Sequence, residues 1–134
     1  MILGRDGADL ARELAASRDE LLAVRSRRVR PGRDDKVLVS WNGLMIEAMS
    51  RAGVVLGEEK YIAAAARAAD FLLKELRDGD GRLLHTWRKG TARLDAYLDD
   101  YAALAASLVP LFEATRDSRY IDEAIGLADR MIAM

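Results

Sequence analysis

The sequence predicts an all-α fold made of helical hairpins, with a short β-hairpin over residues 82–94 as its one exception. Three observations predict it. Apolar residues recur three, four and seven apart through most of the 134 residues. Breaks rich in Gly, Pro and Asp cut these stretches into pieces of helix length. One hairpin also repeats: Tyr61-Ile62 with Ala65, Ala69 and Asp70 matches Tyr120-Ile121 with Ala124, Ala128 and Asp129 at an offset of 59. Leu44 lies 60 before Leu104 in the same way. In each copy a more apolar helix leads through a polar turn into a more charged helix that starts with Tyr-Ile. This is the pattern of stacked helical hairpins.

Residues 1–8 read as a lead-in. From about Asp9 to Arg28, Leu10, Leu14, Leu21 and Val24 mark a first helix, which Pro31-Gly32 ends. Asp34 to Val39 is a connector with a short extended piece at Val37-Leu38-Val39. Ser40 is the expected N-cap of the second helix, its hydroxyl meeting an orphan backbone N–H. Trp41, Met45, Ala48, Ala52, Val55 and Leu56 share one face of that helix. Gly53 costs helix stability, so its place predicts close packing, and Gly57 ends the helix. The third helix runs from Tyr61 to about Arg77, with its stripe at Tyr61, Ala65, Ala69, Leu72 and Leu76. Its alanines predict a close helix–helix approach.

Asp78-Gly79-Asp80-Gly81 is a turn. Arg82 to Arg88 lacks helical periodicity, and with Lys89-Gly90 as a turn it predicts the β-hairpin. Asp95 to Thr115 is the most apolar helix, uncharged from Tyr101 to Phe112, and therefore buried on most sides. Pro110 removes a backbone donor inside it and predicts a kink near Ala106. Tyr120 to Met134 is the last helix.

Composition excludes several classes of function. Hydrophobic residues make up 51%, and 21 basic residues against 22 acidic leave a net charge of −1. No global field draws the chain to nucleic acid or anionic membrane. The basic run from Arg25 to Arg30 reads as a solvated helix end, where cations suit the dipole. With no cysteine and one histidine, disulfides, thiol chemistry and Cys- or His-rich metal sites are excluded. No metal or other cofactor is called for. No apolar run reaches the roughly 18 residues of a membrane span, and no signal-peptide core stands at the start. The cytoplasm is the expected location.

Helices apolar on two sides, beside helices with a single stripe, fit a two-layer ring or solenoid. The connectors at 30–39 and 78–94 each precede an apolar helix, so they gather at one end of the array, where functional groups collect. Arg30-Pro31-Gly32-Arg33-Asp34-Asp35-Lys36-Val37-Leu38-Val39-Ser40-Trp41-Asn42-Gly43-Leu44-Met45-Ile46 resembles the signature of the thioredoxin-fused, spermatogenesis-associated-protein-20-like (YyaL-type) family. Tyr97-Leu98-Asp99-Asp100-Tyr101-Ala102 and Leu111-Phe112-Glu113-Ala114-Thr115 resemble a second block of it. The resemblance runs from about Leu21 to the C-terminus. It implies a thioredoxin-like domain followed by an (α/α) six-hairpin toroid, similar to glycosidases and N-acylglucosamine 2-epimerases. Gly32 stands where members often carry His, and Pro110 is a second departure. No thioredoxin-like portion is present. A ring of six such repeats needs roughly 350 residues. Residues 1–134 are therefore expected to be a single partial domain of about two hairpins plus one helix, whose main partner is the remainder of a longer chain.

The residues that could carry chemistry lie at the connector end. Asp100 sits on the edge of the stripe formed by Tyr97, Tyr101, Leu104, Leu108 and Leu111, whereas Asp99 points away. Asp100 suits a general acid or base, or an acceptor for a sugar hydroxyl; equally, an acid in a first helical turn suits the dipole. His85 is the one side chain with an ordinary pKa near neutrality, and it either transfers protons or decorates a hairpin. Trp41 stacks on a sugar ring or fills a core. Asn42 binds ligand or caps the chain. Asp35 and Lys36 form an exposed pair or line the mouth of a cavity. Arg88, on the connector leading to Asp100, and Tyr101, next to Asp100, are the other candidates for binding a substrate. Two functions follow. One is a carbohydrate-binding or carbohydrate-processing part of a larger enzyme-like protein, glycosidase- or epimerase-like by fold and inactive alone. The other is a non-catalytic helical scaffold or protein-interaction domain. A truncated or engineered piece of such a ring would also self-associate through its exposed inner helices.

Overall fold

The computed structural model describes Gly4 and residues 6–134. Most of the expected lead-in, including Met1, Ile2, Leu3 and Arg5, lies outside the described residues. The chain divides into two units, one up to Asp34 and one from Asp35 to Met134.

The first unit holds helix α1 (Gly7–Ser26), which buries none of its residues. It ends two residues before the predicted Arg28, with Arg27 at its C-cap. Of the predicted stripe, Leu14, Leu21 and Val24 are exposed and Leu10 is half-buried.

The second unit runs β1 (Val37–Leu38), α2 (Val39–Leu56), α3 (Glu59–Glu75), β2 (Leu84–Arg88), β3 (Thr91–Asp95), α4 (Leu98–Thr115) and α5 (Ser118–Ala133). It is mostly helical with a small antiparallel sheet, as the sequence predicts. The hairpin β2–β3 turns at Lys89-Gly90, where both residues have positive φ, 49° and 83°. That is the turn whose twist matches paired strands, and glycine supplies its second position. The sheet has three strands in the order β1-β2-β3. The added strand is the short piece before α2, which pairs Val37 with Trp87 and Leu38 with Thr86. Two residues carry no periodicity, so its pairing was not legible.

Two helix starts are corrected. The helix expected from Asp95 begins at Leu98, because Asp95 is still paired to Leu84 in the sheet. The helix expected to be capped by Ser40 begins at Val39, with Leu38 at the N-cap and no side-chain cap. Gly57 ends α2 at φ 66°, as expected. The Asp78–Gly81 turn is held by the Asp78 carboxylate, which accepts from the Asp80 and Arg82 N–H groups.

Helix α2 packs on α4 and α3, and α4 packs on α2, α3 and α5. The core between them contains Ile46, Leu72, Leu76, Leu83, Leu104, Leu108 and Leu111. Helix α3 buries Ala65, Ala69 and Leu72, the stripe read from its sequence. A Cβ on Gly53 would stand 2.5 Å from Ile62 Cγ1, which bears out its predicted close packing. Gly43 is less forgiving, since its Cβ would stand 2.8 Å from the backbone C and O of Ala103, which cannot rotate aside as a side chain can. This glycine lets α2 and α4 meet backbone to backbone near their N-termini. Helix α4 runs through buried Pro110 without a break. Ala106, whose carbonyl the proline leaves without its helical partner, is an exposed residue.

Candidate functional site

Asp100 is the centre of the connector end. It is fully buried, at 0% exposure, whereas Asp99 beside it is exposed. Its Oδ1 accepts from the Ser40 N–H at 3.0 Å. Its Oδ2 accepts from the Tyr97 N–H at 3.0 Å and lies 2.7 Å from His85 Nδ1. One carboxylate thus satisfies orphan donors at the starts of two helices, α2 and α4, whose positive ends both favour it. The bond to Tyr97 is the returning half of a capping box. The cap expected from the Ser40 hydroxyl is supplied to Ser40 by a residue 60 positions away.

A carboxylate only accepts, so the proton between the two side chains sits on His85 Nδ1. Nε2 is then the ring nitrogen left for other partners, and no hydrogen bond to it is found among the described residues. The imidazole is partly exposed at 21% and meets the Tyr97 ring edge-on, with centroids 5.0 Å apart. Position 85 is set by the β2 pleat, which turns His85 and Trp87 to one face and Thr86 and Arg88 to the other. Trp87 packs edge-on against Phe71 at 5.2 Å, which fixes that face toward the helices.

Around this pair the other predicted residues take different places. Tyr101 is buried, and its hydroxyl accepts the Leu83 N–H at 2.9 Å, tying α4 to the start of the hairpin. Asn42 donates from Nδ2 to the Leu38 carbonyl at 2.7 Å, closing the corner between β1 and α2. Trp41 is 71% exposed. It follows Ser40 directly, on the same helix end that binds Asp100. Tyr97 and Leu98, both exposed, flank the start of α4. Tyr97 was not singled out by the sequence reading; its spacing to Asp100, that of a capping box, was the available signal.

Asp35, Lys36 and Arg88 form a second group. Asp35 pairs with Arg88 across β1 and β2. That hydrogen bond, aided by the charges of Arg88 and Lys89, holds the Asp35 carboxyl below its ordinary pKa against a smaller opposing effect of desolvation. Lys36 and Arg88 line a cavity of about 310 Å³ with Thr86, Lys89, Thr91 and Arg93. The pleat of β2 separates this group from His85. Among the described residues no set of three His, Cys, Asp or Glu side chains is arranged to hold a metal ion, and no helix is long and apolar enough to cross a membrane.

Comparison with known proteins gives one consistent relationship. No family model matches the chain. It is 32% identical over 120 residues to human spermatogenesis-associated protein 20, covering 83% of this chain. The mouse protein of that name is 33% identical over the same share. An uncharacterised protein of Caenorhabditis elegans is 29% identical over 128 residues, covering 90% of the chain. The chain spans about 15% of the length of the mammalian relatives it matches and 17% of the nematode one.

Proposed function

Because the chain belongs to the spermatogenesis-associated-protein-20-like family, we propose that its two hairpins are part of an (α/α) toroid that binds or processes a carbohydrate, with His85 as the proton-transfer group. One observation carries this reading: a buried carboxylate, Asp100, holds the inner nitrogen of a partly exposed imidazole. That arrangement fixes the tautomer and orientation of a general acid or base. Asp100 is the positioning residue, since full burial keeps it from a ligand. Exposed Trp41 and Tyr97 at the same end offer flat apolar faces for a sugar ring. Asn42, engaged with Leu38, holds the helix that carries Trp41. The remaining hairpins, a thioredoxin-like domain and a cytoplasmic setting belong to the same proposal.

A second reading has its own support. All three donors to Asp100 come from this chain, so the pair also serves as a clip between α2, α4 and β2. In that case the segment is a scaffold or protein-interaction domain, whose exposed α2 face meets other parts of a longer chain or a second copy. Sugar titrations of tryptophan fluorescence, in the whole protein that carries this segment, separate the two. The carbohydrate reading expects saturable quenching that is lost in Trp41→Ala, and a pH-dependent response that is lost in His85→Gln. A flat response across a broad panel of neutral, amino and acidic sugars, with both variants folded, leaves the scaffold.

A further inference from the structure

Helix α1 spans 20 residues and buries none of them. In proteins most helical stability comes from packing an apolar face, not from propensity. The apolar residues of α1 follow the narrow seam of a paired helix rather than the wide stripe of a core helix. Leu10, Leu14, Leu21 and Val24 stand four, seven and three apart, with Ser17 at the remaining seam position. In heptad terms Leu14 and Leu21 take position a, and Leu10, Ser17 and Val24 take position d. Leu21 is 70% exposed, and Leu14 and Val24 are exposed beside it.

The second observation is how charge flanks this seam. Arg18 and Arg25 fall at successive e positions on one side, and Glu13 and Glu20 at successive g positions on the other. Asp9 and Arg12 pair with each other on the far face of the helix, away from the seam. When two such helices lie parallel and in register, each g residue meets the e residue five positions later on its partner. Glu20 of each copy then meets Arg25 of the other, at both edges. Antiparallel helices would set g against g and e against e, acid on acid and cation on cation. The charges therefore admit one orientation, and the surface that complements α1 is α1 itself. Glu13 is already engaged within its own chain, so Glu20 and Arg25 are the pair that selects the partner.

We propose that α1 is a dimerisation helix, which pairs in parallel with α1 of a second copy of this chain. Ser17 stands opposite its own copy in the middle of the seam, where a polar pair fixes register at a cost in affinity. Arg27, Arg28 and Arg30 follow the end of the helix at Ser26, in an exposed segment whose two copies can diverge. A net charge of −1 per chain sets no global repulsion against pairing. The pairing uses no residue of the His85–Asp100 site and does not depend on the carbohydrate reading.

Sedimentation equilibrium of the chain tests this. The seam is short, so a monomer–dimer equilibrium with a Kd on the order of 100 µM is expected. Glu20→Arg and Arg25→Glu should each weaken it about tenfold, because attractive pairs turn repulsive at both edges. An equal mixture of these two variants should recover the lost affinity, since each edge of the mixed dimer regains one Glu–Arg pair. That recovery also shows that both variants are folded. Ser17→Leu should tighten the dimer and Leu21→Gln should weaken it, whereas Leu44→Gln on the open face of α2 should leave it unchanged. The proposal is overturned if the chain stays monomeric up to about 1 mM, or if the mixture associates no better than its components. It is also overturned if Leu44→Gln abolishes association while Leu21→Gln leaves it intact, which would assign the contact to α2.

Discussion

The two hairpins share a plan and differ in how they are covered. In each, an apolar helix leads into an amphipathic one that opens with a tyrosine under a cation: Lys60 over Tyr61 at 5.1 Å, and Arg119 over Tyr120 at 4.9 Å. Yet α4 buries Asp100, Tyr101, Leu104, Ala105, Ser107, Leu108, Pro110 and Leu111, whereas α2 buries only Val39, Gly43, Ile46, Ser50 and Gly53. The apolar face expected on α2 is largely open: Trp41, Met45, Val55 and Leu56 are exposed, with Leu44 and Val54 beside them. The difference comes from neighbours, since α4 has α2, α3 and α5 around it. A helix apolar on two sides is built for two layers of contact, and α2 receives only one here. Uncovered apolar surface of this size is expected where another element docks, which agrees with the proposal of further hairpins beside α2.

The comparison is broken most directly at the leucines that the sequence repeat aligns. Leu44 is 63% exposed and Leu104 fully buried. Leu104→Ala should cost about 2–5 kcal/mol through lost burial and the cavity left behind. Leu44→Ala should stay within about 0.5 kcal/mol. Urea denaturation of the two variants gives the answer, and equal losses would mean that α2 is covered in solution as α4 is.

Buried positions align one residue away from that pairing: Val39 matches Asp100, and Gly43 matches Leu104. Where α2 places an apolar side chain, α4 places a carboxylate that binds the starts of both helices. Asp100→Asn keeps the shape and turns an amide donor toward one of three donors. A loss of about 3 kcal/mol is expected, from bonds to a charged acceptor and a donor left unpaired. His85→Gln should cost less, because only one of the three bonds is weakened. Equal costs would assign the clip to the imidazole rather than to the helix starts.

These contrasts show what was legible. Helix existence, the hairpin at Lys89-Gly90 and the inward side of Asp100 follow from local rules of period, turn chemistry and face. The partners of Asp100 do not, because Ser40 and His85 come together only when α2, α4 and β2 meet. The pairing of β1 was hidden for the same reason, and so was the cavity that Lys36 and Arg88 line, which exists only once the strand register is set. Apolar pattern states what a face can bury; the exposure of Trp41 depends on which neighbour is there.

Gly43 sharpens the contrast between a contact face and an open one. Gly43→Ala drives a Cβ into the Ala103 backbone, which cannot rotate away, so α2 and α4 must separate at a cost of about 1–3 kcal/mol. Gly126 lies inside α5 with nothing within 4 Å of an added Cβ. There the same change should stabilise by roughly 0.5–1 kcal/mol, through helix propensity alone. Opposite signs in thermal denaturation are the expected result. Matching signs would remove the close crossing of the two apolar helices.

The smallest effect separates the two tyrosines. Tyr61 is half-buried, while Tyr120 is buried and donates to Asp70 Oδ1 at 3.1 Å. Burial, followed by the charge and hydrogen bond of Asp70, pushes the Tyr120 pKa up to about 12. A free tyrosine titrates near ~10. The neutral phenol is therefore favoured by folding, and its contribution is complete below the unfolded value. As pH rises from there through about 12, the unfolded chain gives up this proton before the folded one does, and the contribution is lost. Tyr120→Phe should cost about 1 kcal/mol at neutral pH, for the hydrogen bond. Above pH ~10 the gap between wild type and variant should narrow, because phenylalanine has no proton to lose. Taking the difference between the two proteins cancels the lysines that titrate in the same range. A gap that stays constant across that range would mean that the phenol is open to water, and that the second hairpin starts as loosely as the first.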